Sequence, residues 1–220
     1  MQTLKDYLKE VKKLNRITLF LDIETFQYNE ARGYVKPSEF KNMTFSVACS
    51  WLDDFGNVSI EVFANFKDFF NVIIETYKKG KTPTIELNYH NGNKYDNHFM
   101  RYDLLYFYPH MHVENYFLTT ATTDVSNYDS LRLKDLSKDD KQGIILEKRV
   151  KSSINLEMIF FLYGIQFETV DNWVKTNVSI KTLGKKLLRI GKVAESELKT
   201  DFDYLRHNKN EDMTTTEARA

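Results

Sequence analysis

The segment LFLDIETF (19 to 26) sets two carboxylates, Asp22 and Glu24, two residues apart behind an apolar run. If the run is a strand, both side chains leave the same face of it, because side chains alternate along a strand. A carboxylate held at the end of an apolar strand is unfavourable unless a cation or donor faces it. Hard divalent ions such as Mg²⁺ or Mn²⁺ take oxygen ligands of this kind. The chemistry open to such a pair is two-metal cleavage of a phosphodiester, one ion activating water and the other stabilising the leaving oxygen. Glu24 could reach the first ion while Asp22 bridges both. An acidic-x-acidic triplet is also an ordinary solvent-facing strand end, so it needs a second group to give it meaning.

That second group is NYHNGNKYDNHFM (88 to 100), where Asn91 is followed by Tyr95 and Asp96 at the start of an expected helix. Asp96 is placed to be a third carboxylate for the same metal pair. Asn91 offers a side-chain amide to the strand end, and Tyr95 a face on which an unpaired base can stack. The same residues admit a plainer reading, with Asp96 as a helix N-cap and Asn91-Gly92 as a turn. His90 and His98 do not point to zinc, since no cysteine or third histidine stands at ligand spacing. They read as DNA contacts or surface residues.

The elements that must position these groups follow from periodicity. Leu4, Leu8, Val11 and Leu14 recur at helical spacing, which predicts an amphipathic helix over residues 2 to 14. Residues 17 to 23 read as a central strand, and 44 to 52 with 58 to 64 as a hairpin around Asp53 to Asn57. Helices are expected over 68 to 79, ending at Gly80, and over about 96 to 107, stopping before Pro109, with an apolar run from Ile85 between them. Residues 110 to 153 suggest hairpins and exposed loops, including a strand-like piece at 143 to 150. Strands over 155 to 161 and 165 to 170 and a helix over 180 to 190 complete an α/β domain of mixed strand directions.

Composition bounds the rest. The 220 residues are 42% hydrophobic and 14% aromatic, enough for one packed domain. Lys plus Arg and Asp plus Glu both number 31, so no global basic character advertises a nucleic-acid partner, and any such contact must be local. Lys181, Lys185, Lys186, Arg189 and Lys192 could track phosphates, although the solvated face of an amphipathic helix is the simpler reading at zero net charge. The lone Cys49 excludes an internal disulfide and reads as a small buried hydrophobe. The N-terminus does not look like a secretory signal, and the longest apolar stretch, around Met158 to Ile165, falls short of a membrane span.

Taken in order, Asp-x-Glu on a strand and Asn-x-x-x-Tyr-Asp about seventy residues later resemble the first two exonuclease motifs of DEDD nucleases, especially those of family B DNA polymerases. With His90 before the second motif and Phe99 after it, the match looks most like the protein-primed polymerases of small tailed phages. The resemblance implies a ribonuclease-H-like fold, a mixed β-sheet flanked by helices with a hairpin-rich insertion, forming a single domain over residues 1 to 220. It implies proofreading 3′ to 5′ hydrolysis of a primer end with Mg²⁺ or Mn²⁺ held by Asp22, Glu24 and Asp96. His90, Asn91, Tyr95 and Phe99 would then contact single-stranded DNA. The expected setting is the cytoplasm of an infected bacterium, with terminal protein and the remaining polymerase domain as partners and no membrane.

Two further segments are similar to that subfamily. DNWVKTNVSIKTLGKKL (171 to 187) resembles its Asp-Ser-Leu segment and the lysine-bearing helix after it; here Asn172 and Trp173 replace the Ser-Leu pair that binds single-stranded DNA. An indole still offers a packing or stacking face, while hydrogen bonding by the first position changes. Lys199-Thr200-Asp201-Phe202 is similar to a Lys-x-x-hydrophobic motif whose lysine assists catalysis by stabilising phosphate charge. The third exonuclease motif, Tyr-x-x-x-Asp, has no match: Tyr204 is followed by Asn208 and Tyr163 by Phe167. Aligning Asp203-Tyr204 and Thr215-Thr216-Glu217 with the subfamily puts the missing tyrosine just beyond Ala220. The expectation is a fragment or split gene product with three of four carboxylates, binding metal weakly and cutting little without a partner. A free-standing nuclease with Asp201 or Asp212 as substitute ligand, and a non-cutting remnant that binds single-stranded DNA, remain as alternatives.

Overall fold

Arg16–Thr25 forms the strand β1, in which Ile17, Leu19, Leu21, Ile23 and Thr25 are buried on one face while Phe20 and Asp22 stand exposed on the other. The computed structural model to which this strand belongs describes residues 2–25, 28–29, 33–34, 44–53, 56–77, 82–118, 136–150 and 156–172. After a two-residue pair, β2 (Tyr28–Asn29) with β3 (Gly33–Tyr34), come β4 (Thr44–Leu52) and β5 (Val58–Phe63). These two are the expected hairpin, antiparallel with Ser50 opposite Ile60, and Asp53 holds its turn by accepting from the Asn57 backbone N–H at 2.7 Å. Then follow β6 (Thr84–Tyr89), β7 (His112–Leu118), β8 (Ile144–Val150), β9 (Leu156–Leu162) and β10 (Ile165–Asp171).

Eight of these strands make one sheet in the order β5-β4-β1-β6-β10-β9-β8-β7. β1 runs antiparallel to β4 and parallel to β6, and β6 runs parallel to β10. β10 is antiparallel to β9, β9 to β8, and β8 is parallel to β7. This is the mixed sheet that the strand patterns called for, with helices packed against it.

Three helices cover the face on which Leu19, Leu21 and Ile23 lie: α1 (Leu4–Glu10), α2 (Phe66–Tyr77) and α3 (Asp96–Phe107). α1 starts at Thr3, whose hydroxyl accepts from the Asp6 N–H, and buries Leu4, Tyr7 and Leu8. It ends at Glu10 rather than continuing to residue 14; Leu14 is 51% exposed because the chain turns there to enter β1. Between helices and sheet, Phe70, Phe160 and Phe167 meet with centroids 4.9 to 5.7 Å apart. Each of these fully buried rings contributes roughly 2–3 kcal/mol by leaving water.

Hairpins and exposed loops are expected within residues 110 to 153, of which 119–135 and 151–153 lie outside the described residues; the two described strands there do not form a hairpin with each other. β7 and β8 pair in parallel, His112 opposite Ile144 and Leu118 opposite Val150. Parallel neighbours require a connection that returns the chain to its starting edge, which a tight turn cannot do. Local alternation gives a strand but not its direction. No described helix is long and apolar enough to cross a membrane.

Candidate functional site

The parallel strands β1, β6 and β10 end side by side, with Phe20 in register with Asn88 and Asp171 with Tyr89. The crevice beyond the carboxyl ends of parallel strands is where open α/β sheets place ligands. β1 extends past β6 and carries Asp22 and Glu24 on the face opposite the helices, in register with Ala48 and Ser46 of β4.

β6 delivers the other half of the site through a tight connection. After Tyr89, Asn91 adopts a left-handed backbone conformation (φ 69°), Gly92–Lys94 makes one 3₁₀ turn, and α3 begins at Asp96. Asparagine is among the few residues that tolerate this conformation. Gly92 cannot be replaced without movement, since a Cβ there would meet the Tyr89 Cβ at 2.4 Å. Tyr95 occupies the cap position of α3, so Asp96 is the first helical residue and not the side-chain cap.

A buried polar network pins this connection. Asn97 Nδ2 donates to Asn93 Oδ1 at 2.9 Å and to the Leu156 carbonyl at 2.7 Å, and lies 3.3 Å from Thr169 Oγ1. Asn93 in turn donates to Glu157 Oε1 at 3.1 Å. Asp171, at the end of β10, accepts from the backbone N–H groups of Asn91 at 2.7 Å and Asn93 at 3.2 Å.

Asp22 and Asp96 line one cleft of about 360 Å³, whose wall also includes Phe20, Ser50, Ile60, Asn88, His90 and Asn172. Asp96 is only 8% exposed. Burial first and then the negative charge of Asp22, with lesser contributions from Asp171 and Glu24, push its carboxyl up to about 7 from an ordinary 3.8, against an opposing pull from its own backbone N–H that outweighs either of the last two. The three carboxylates anticipated as metal ligands are thus within electrostatic reach of one another. Among the described residues, no three His, Cys, Asp or Glu side chains stand close enough together to hold a metal ion between them. The donor set nonetheless suits Mg²⁺ or Mn²⁺: it is all oxygen, and Mg²⁺ is usually bound by one or two carboxylates with waters and substrate phosphates completing the shell.

The residues expected to contact DNA divide into two groups. His90 and Asn172 lie half-buried in the cleft wall. Asn91 uses its backbone N–H on Asp171 and makes no side-chain capping bond. The Tyr95 hydroxyl lies 2.5 Å from Thr25 Oγ1 and its ring packs on Phe99, 4.9 Å between centroids. Phe99 is 1% exposed, so its ring belongs to the core and is not presented to a ligand. Trp173 and Lys199, and the expected helix over 180 to 190, lie outside the described residues.

Sequence reasoning gave Asn97 no role and met Asp171 only as the first residue of the segment that resembles Asp-Ser-Leu. The available signal for Asp171 was an acidic residue closing the alternating strand IQFETVD, on its buried face. No protein-family model matches this chain, and neither curated proteins nor solved structures include a significant match to it.

Proposed function

We propose that this chain is the proofreading 3′ to 5′ exonuclease domain of a phage protein-primed, family B DNA polymerase, acting on single-stranded primer ends with two divalent ions. The observation that carries the reading is the approach of Asp96, at the start of α3, to Asp22 and Glu24 on β1 beside the carboxyl end of β6, with Asp96 pushed up to about 7 by burial and the neighbouring carboxylates. Such mutual repulsion is what a bound divalent cation relieves, and binding it would displace the Asp96 proton.

The sheet supports the same reading. In β5-β4-β1-β6-β10 only β4 runs antiparallel to the others, which is the strand order and direction of a ribonuclease-H-like core; β9, β8 and β7 extend it. Asp22, Glu24 and Asp96 would hold Mg²⁺ or Mn²⁺, which when bound supply an activated water and a stabilised leaving oxygen. The cleft supplies the rest of the fit: Phe20, 39% exposed, offers an aromatic face to an unpaired base, beside the polar side chains of Ser50, Asn88 and Asn172.

Mn²⁺ binding followed by water-proton relaxation tests the assignment directly. Asp22→Ala and Asp96→Asn should each weaken binding by more than about tenfold. Unchanged affinity in both variants would show that the carboxylates are not a metal centre.

A further inference from the structure

The Asp171 carboxylate joins two parts of the site that are far apart in sequence. Its Oδ1 accepts from the Asn91 N–H at 2.7 Å and its Oδ2 from the Asn93 N–H at 3.2 Å, eighty and seventy-eight residues earlier in the chain. It is itself 5% exposed and sits opposite Tyr89 in the β6–β10 register. Both amides belong to the only link between the end of β6 and Asp96, and that link contains the left-handed Asn91. Bonds from backbone N–H to an ionised carboxylate are the strong, charge-assisted kind.

We infer that Asp171 is a positioning residue: its carboxylate latches the Asn91–Asn93 turn to the end of β10 and thereby sets where Asp96 stands relative to Asp22. The inference rests on the proposed metal centre for its functional meaning, but the latch itself is a statement about two named amides. Asn91 can keep its left-handed conformation because the Asp171 bond holds its N–H, and Gly92 can then lie against Tyr89. Asn93 and Asn97 also tie the same segment to Glu157 and the Leu156 carbonyl of β9 and to Thr169 of β10, so loss of Asp171 loosens the turn without releasing the whole helix.

The test compares Asp171→Asn and Asp171→Ala with the wild-type chain. Far-UV circular dichroism reports whether each variant folds. Amide hydrogen exchange at Asn91 and Asn93 reports the latch, and Mn²⁺ affinity its effect on the site. An amide side chain can still accept one bond but turns a donor toward the other N–H, so Asp171→Asn keeps the shape and loses half the latch. Exchange at Asn91 or Asn93 should quicken by about tenfold or more in both variants, and Mn²⁺ affinity should fall by about tenfold, the scale typical of groups that orient metal ligands. Unchanged exchange in a folded variant overturns the latch. Faster exchange with unchanged Mn²⁺ affinity overturns its role in positioning Asp96. If wild-type protein binds no Mn²⁺, the metal-centre reading fails and the positioning role falls with it, while the exchange data still decide the latch.

Discussion

Replacing Asp96 by asparagine should make the protein more stable at neutral pH and remove a pH dependence that the wild type carries. The Asp96 carboxyl stands at about 7 in the folded chain against 3.8 when unperturbed. A raised carboxyl means that the folded state holds its proton more tightly than the unfolded one. Below about pH 4 both states are protonated and the site is neutral to stability. As pH rises from about 4 to about 7 the unfolded chain ionises first, and stability falls. Above that the loss is complete. A shift of about three units corresponds to about 4 kcal/mol. Asparagine keeps the size and removes the charge, so Asp96→Asn should match wild type near pH 4 and exceed it by up to about 4 kcal/mol at pH 8. The assay is urea unfolding across this range in chelator, read by tryptophan fluorescence and circular dichroism. Adding Mn²⁺ at pH 8 should restore much of the wild-type loss and do little for the variant, because a ligand that binds only the folded state stabilises it. Parallel stability curves for the two proteins would refute both the burial and the charge crowding assigned to Asp96.

Other perturbations follow from the packing and the network. Asn97→Ala removes the amide that bonds Asn93 and the Leu156 carbonyl and should lower unfolding stability by about 3 kcal/mol, seen as a lower urea midpoint at unchanged slope. Gly92→Ala forces a Cβ into Tyr89 and should destabilise by about 1–3 kcal/mol, with faster amide exchange in the first turn of α3. Phe167→Ala opens a hole against Phe70 and Phe160 and should be destabilising by about 3–5 kcal/mol in the same measurement. Asp22→Asn removes the largest neighbouring charge on Asp96, so the Asp96 titration followed by carbon NMR should move to lower pH; an unmoved midpoint would separate the two carboxylates.

The strands and helices that build the site were legible because each carries its own period. β1 shows its alternation over ten residues, and the Asn91-Gly92 turn followed by a helix at Asp96 was written in residues with narrow backbone preferences. The α1 boundary was misread because Leu14 continues a helical spacing that the turn into β1 overrides. Phe99 was read as a ligand contact, yet it is an apolar residue at the helix-core spacing of Met100 and Leu104 and lies in the interior with them.

The amino-acid sequence by itself determined which residues could bind a hard cation, that Asp22 and Glu24 share a strand face, and that Asp96 opens a helix; these depend on side-chain chemistry and on contacts within a few residues. Only the tertiary structure decided that β6 lies parallel beside β1, so that Asp96 comes under the charge of Asp22, and that Asp171 closes on Asn91 and Asn93 from the end of β10. Strand order, strand direction and hydrogen bonds across eighty residues arise from packing one buried face against helices and pairing every buried backbone group. Those constraints act on the whole chain at once and leave no local periodicity to read.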